Sequence, residues 1–200
     1  MMDSQAEYLL QLFTASQYFS QRTMQDRLIP SLIKGASLVE AWEVCAEVQR
    51  QVDTAQAAAG GVWDGDRLDE AFKQIKRHNI MAIPWCESTI SSAHGLAEEL
   101  ALKSNYPAYC FFHEQDLVTC IESGELWLAF DLTQASDDNE VTKAGELIVA
   151  ELKKAGLNVI WNGSPQHRIQ ITPFLWLRHY SEQSEQEILS ILERTGAVAA

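Results

Sequence analysis

The stretch Tyr109-Cys110-Phe111-Phe112-His113-Glu114-Gln115-Asp116 decides how the chain is read. An apolar, aromatic run stops at four polar residues. Leu117, Val118 and Ile121 then recur at helical spacing, and Gly124 closes the segment. The pattern predicts a buried strand that feeds directly into a helix. In α/β proteins this junction is a common place for a ligand. It therefore nominates His113, Glu114 and Asp116 as candidate catalytic residues. A histidine can act as a general base when a carboxylate orients its other nitrogen. The competing reading is capping, because the helix dipole favours acidic side chains in a first turn.

Downstream, Leu126-Trp127-Leu128-Ala129-Phe130 is nearly all apolar, as in a strand covered on both faces. Val141, Ala144, Ile148 and Leu152 mark an amphipathic helix that ends with Lys153, Lys154 and Gly156, a dipole and C-cap signal. Leu157 to Trp161 reads as a strand, Asn162-Gly163 as the start of a turn, and Arg168 to Thr172 as the antiparallel return of a hairpin. Arg168 and Trp161 are candidate ligand- or partner-binding residues, the arginine because it can pair with Glu114 or Asp116 or hold an anion. Upstream, Asp64-Gly65-Asp66 opens a helix carrying Leu68, Ala71, Phe72 and Ile75. A short strand spans Ile80 to Pro84, and Ser91 or Ser92 starts another helix. Ser184 to Glu187 reads as a capping box for a last helix.

The first 60 residues look helical throughout. Tyr8, Leu12, Ala15 and Phe19 repeat at helical spacing, Leu28 to Ile33 form a short helix around Pro30, and Ser37 to Glu40 is a capping box before a stripe from Ala41 to Val52. Gly60-Gly61 reads as a hinge. The expected architecture is α/β or α+β: a mixed sheet with crossover helices and a C-terminal antiparallel hairpin, preceded by a helical N-terminal extension. The expected division is 1–63 for the extension and 64–200 for the sheet domain.

Part of the chain resembles a bacterial family of domains of unknown function. The aromatic run into His113-Glu114-Gln115-Asp116 carries the resemblance, with Gly124 to Phe130 and Ala155 to Ser164 continuing to Arg168-Ile169 and Trp176. It spans about residues 66–180 and leaves the helical start outside. Members often have several cysteines around Pro84 to Ser88, where this chain keeps only Cys86. The resemblance implies a fold boundary and candidate residues, but no activity.

Composition narrows the function classes. The formal net charge is −13, from 15 basic and 28 acidic residues, and residues 64–134 hold 5 basic against 12 acidic. Such a surface repels phosphate backbones and attracts basic proteins, so no nucleic acid is expected as a partner. No apolar run is long enough to span a membrane, and the start Met1 to Gln5 lacks a signal-peptide pattern, so a cytoplasmic location is expected. Cys45, Cys86, Cys110 and Cys120 show no paired spacing, so reduced buried thiols are expected. Cys86, His94, Cys110 and His113 match no ligand pattern; no metal and no cofactor are expected. No nucleophile elbow, phosphate loop, dinucleotide fingerprint or His-Glu-x-x-His is present. The expectation is a protein-binding domain, in its specific version an immunity-type inhibitor of a basic toxin, with Asp69, Glu98, Glu99 and Glu122 in the interface. The alternative is a small hydrolase or ligand-binding enzyme using His113 with Glu114, Asp116 and Arg168.

Overall fold

The computed structural model describes residues 2–33, 37–134 and 137–198. The chain forms two compact units. Asp64–Trp176 is one; Met1–Trp63 together with Leu177–Ala200 is the other.

The sheet unit contains α5 (Asp64–Arg77), β1 (Ile80–Ile83), α6 (Ile90–Lys103), β2 (Ala108–Phe111), α7 (Glu114–Ser123), β3 (Leu126–Leu132), α8 (Asp138–Lys154), β4 (Val159–Ile160) and β5 (Ile169–Ile171). The strand order is β1-β2-β3-β5-β4. β1 and β2 are parallel, joined by α6 as a crossover. β2 and β3 are antiparallel, with Phe111 opposite Ala129. Here the structure departs from the expectation that alternation means crossover: α7 leaves and re-enters at the same end of the sheet. β5 is antiparallel to both β3 and β4. β3 and β4 therefore run in the same sense, with α8 as a second crossover and β5 inserted between them. The expected hairpin is present, Val159 pairing with Ile171 and Ile160 with Gln170.

Side-chain alternation sorts the layers. Tyr109 and Phe111 point towards His94 of α6. Cys110 and Phe130, paired across β2 and β3, point the other way, where the Phe130 ring meets Gly145 of α8. α5 packs on α8 and covers this second face, its Phe72 beside Phe112. One face thus carries two helices. The other carries α6 over β1 and β2.

The helical unit contains α1 (Ser4–Ser16), α2 (Gln21–Thr23), a π turn at Met24–Leu28, α3 (Ile29–Leu32), α4 (Leu38–Ala59) and α9 (Glu182–Thr195). α1 and α4 pack side by side. Grouping α9 with the N-terminal helices corrects the expected placement of the C-terminal segment in the sheet domain. The cause is a set of specific contacts. Glu185 accepts from the Ser20 amide at 2.7 Å, Arg27 pairs with Glu193, and His179 stacks on Trp63 at 4.3 Å. Several helix starts also differ from the expected ones. Ser181 rather than Ser184 caps α9, Thr89 rather than a serine caps α6, Asp137 caps α8, and Ser37 accepts from the Val39 amide instead of that of Glu40. Ser181 lies upstream of the expected cap and Thr89 is another small polar side chain with extended backbone, a choice that several adjacent candidates blur.

Gly145 lies where α8 crosses Trp161 and Phe130. An added Cβ would stand 2.7 Å from Trp161 Cη2 and 2.9 Å from Phe130 Cε2. Helix propensity alone favours alanine by about 1 kcal/mol, and overpacking costs about 1–3 kcal/mol. Gly145→Ala is therefore expected to lower the urea midpoint. A variant as stable as the parent would mean that Trp161 gives way.

Candidate functional site

β2 carries its apolar run to Phe112, where the chain turns into α7. His113 sits at the N-cap with extended backbone (φ −107°, ψ 177°). The loop after β1 lies alongside: the Cys86 amide donates to Phe112 O at 2.8 Å, and the Glu114 amide donates to Glu87 O at 2.9 Å. Trp85 and Glu87 hold positive φ, 49° and 69°, a strained state for residues with a Cβ. That strain lets the loop reach the helix start and satisfy its orphan donors.

Asp116 is the hub. Its Oδ2 accepts from the His113 amide at 3.0 Å, from His113 Nδ1, and from Arg168 Nη2 at 2.5 Å. His113 and Asp116 are each only 4% exposed. Arg168 arrives from the start of β5. It also donates to Trp127 O at 3.0 Å and lies 6.0 Å from the Trp127 ring centroid. Burial raises the Asp116 pKa, but hydrogen bonds from His113 and Arg168 and the guanidinium charge outweigh it and hold the carboxyl below its ordinary value.

The expected residues thus separate. His113, Asp116 and Arg168 come together, while Glu114 stands half-buried as the first residue of α7. Trp161 belongs elsewhere. Its ring meets Phe130 edge-on at 5.7 Å and its Nε1 donates to His167 O at 3.0 Å, so it braces the hairpin loop on the α8 face, opposite Arg168. His113, Asp116 and Arg168 form a packed ion-pair network. A cavity of about 430 Å³ in this unit is walled by Tyr106, Pro107, Leu132 and Thr133, at the far end of β2 and β3 from His113. Glu98 and Glu99 are exposed on α6 and Glu122 on α7, whereas Asp69 lies on α5 across the sheet.

The cysteine and histidine ligand candidates do not converge. Cys86 Sγ donates to Ala93 O at 3.4 Å, and His94 Nδ1 lies 3.1 Å from Tyr109 Oη. Cys110 points to the other face. Burial pushes the Cys86 and Cys110 thiols up to about 12, which keeps both protonated at neutral pH.

Sequence reasoning missed the other half of the α6 face. Trp127, Gln170 and Ile160 form one cross-strand row over β3, β5 and β4. Ile160 is 54% exposed, and Trp127 and Gln170 are partly accessible. Asp131 is exposed in the same face, and its charge and that of Glu98 both act on His94. The signal was Ile160 itself, an apolar residue at a position whose neighbours Val159 and Trp161 face the core side.

Residues 5–180 match the family described as Domain of unknown function (DUF6891). The chain belongs to this family. The match includes the N-terminal helices, which the resemblance had left outside, and ends before α9. No curated protein and no solved structure was found to match.

The network predicts an acid limit to stability. Asp116 is depressed in the folded state, so its contribution is present above the unfolded carboxyl pKa of about 3.9 and is lost as pH falls through the folded value. Asp116→Asn leaves Arg168 and His113 without their anion and should cost about 3 kcal/mol at pH 7. The gap between parent and variant should shrink as pH is lowered from 5 to 3 in urea titrations. A gap constant with pH would show that Asp116 acts through shape alone.

Proposed function

We propose that the sheet unit is a protein-binding domain whose α6 face receives a basic partner, in its specific form an immunity-type inhibitor that neutralises a toxin in a bacterial cytoplasm. The observation that carries this reading is the accessible row Trp127-Gln170-Ile160 beside the exposed carboxylates of Glu98 and Asp131. Apolar and aromatic contacts at the centre would supply most of the binding energy, and the acidic rim would steer encounter. Glu99, which already pairs with Lys103 at 2.5 Å, would contribute field more than contact. The engagement of His113 supports binding over catalysis, because a general base needs access to the proton it removes.

The test begins with partner capture by cross-linking and mass spectrometry, followed by association kinetics from low to high salt. Association should slow about tenfold or more as salt rises, and less steeply in a Glu98→Gln/Asp131→Asn variant. Ile160→Asp should act mainly on dissociation. An acidic partner, or an association rate indifferent to salt, would sink the reading. Turnover of a small substrate that disappears in His113→Ala would favour the enzyme instead.

A further inference from the structure

The helical unit holds a cavity of about 550 Å³, a volume that suits a small organic ligand. One stripe of α4 forms a long wall: Trp42, Ala46, Gln49, Asp53 and Gln56 recur at helical spacing and all line it. Trp42 stands ~16 Å along the helix axis from Asp53, so the stripe is aromatic at one end and polar at the other. Phe19 and Met24 extend the apolar lining. Met24 opens the π turn, an irregularity that recurs at functional sites. The amides decide what the polar end can hold. Gln49 Nε2 donates to Asp53 Oδ1 at 2.8 Å, and Gln56 Nε2 donates to Gln17 Oε1 at 2.6 Å. Each amide commits its nitrogen within the wall, which leaves Gln49 Oε1, Gln56 Oε1 and Asp53 Oδ2 as acceptors. The charges agree with this. Arg50 pairs with Glu47, and the Arg178 guanidinium is engaged, stacked 3.7 Å from the Tyr18 ring centroid. Among the described residues Asp53 enters no ion pair, so its carboxylate is the charge of the lining still open to a ligand.

We infer that this cavity binds a small amphipathic amine in its ammonium form, its apolar body along Trp42, Phe19 and Met24 and its charged head at Asp53. A primary ammonium carries three donors and no acceptor. It matches a carboxylate oxygen with an amide oxygen one turn to either side on the same helix face. A carboxylate head would meet acceptors where it needs donors. The net charge of −13 also raises the local concentration of cations. The inference is independent of the partner surface, which lies wholly in the other unit.

The test uses the full chain and octylammonium, with octan-1-ol as a neutral match and octanoate as the opposite charge, in isothermal titration calorimetry at constant ionic strength. Octylammonium should bind at one site per chain, about tenfold or more tighter than the alcohol, with octanoate the weakest. Asp53→Asn should remove the preference for the ammonium. Asp53 is exposed on α4, so the variant should keep the parent's thermal transition. Glu7→Gln neutralises an exposed carboxylate of α1 outside the lining and should leave the preference intact, which separates Asp53 from the net charge. Ala46→Phe fills the cavity from another exposed position on α4 and should weaken octylammonium by at least about tenfold. Equal binding of amine and alcohol, a full preference surviving in Asp53→Asn, an equal loss in Glu7→Gln, unchanged affinity in folded Ala46→Phe, or no octylammonium binding by the parent would each overturn the inference.

Discussion

One buried carboxylate organises the sheet unit. Asp116 takes the backbone amide and the imidazole of His113 and the guanidinium of Arg168 on a single oxygen. Through these three groups it joins the end of β2, the first turn of α7 and the start of β5. The guanidinium continues to Trp127 O and so reaches β3 as well. An ion pair of this kind gains strength from burial but returns much of it in desolvation, so its clearest effect is to specify one arrangement. Remove the anion and two cationic or polar groups are stranded in the interior. The direction of α7, the register of β5 and the orientation of Trp127 all rest on that oxygen.

This arrangement also explains why a histidine–carboxylate pair need not mark chemistry. Histidine at an N-cap is uncommon because smaller side chains fit better. Here the cap is completed from the other side, by Asp116 three residues on. The strained Trp85–Glu87 loop supplies a further acceptor to the first α7 amide. The strain, the cap and the ion pair are three answers to one problem: ending an aromatic strand at a buried helix start without leaving donors unsatisfied.

Much of this was legible in the residues. The strand–helix junction, the crossover helix before β2, the hairpin whose return strand follows Arg168 and the end of α4 at Gly60 follow from periodicity and turn chemistry. The pairing of Arg168 with Asp116 was one of two carboxylates the sequence could name. What stayed hidden depends on contacts far apart in the chain. Nothing local in Leu126 to Phe130 says that β3 returns antiparallel to β2, because an apolar strand looks alike in both senses. α9 has an ordinary amphipathic pattern, and its choice of unit is made by Glu185 meeting Ser20 and Glu193 meeting Arg27. Trp161 looked available because it stands beside a turn; only Gly145, far upstream, reveals that the ring has a seat.

The discontinuous helical unit has a consequence for synthesis. Its two chain segments bracket the sheet unit, so α1 to α4 emerge well before α9 exists to meet them. Within the sheet unit the order is similarly inverted, because β5 is made last yet occupies an interior position between β3 and β4. Non-local pairings of this sort are slow, since chain closure precedes their stabilising contacts. On the ribosome the first helices therefore wait for Glu185 and Glu193 while more than a hundred further residues are translated. The unit that the ribosome begins first is thus the last to be completed.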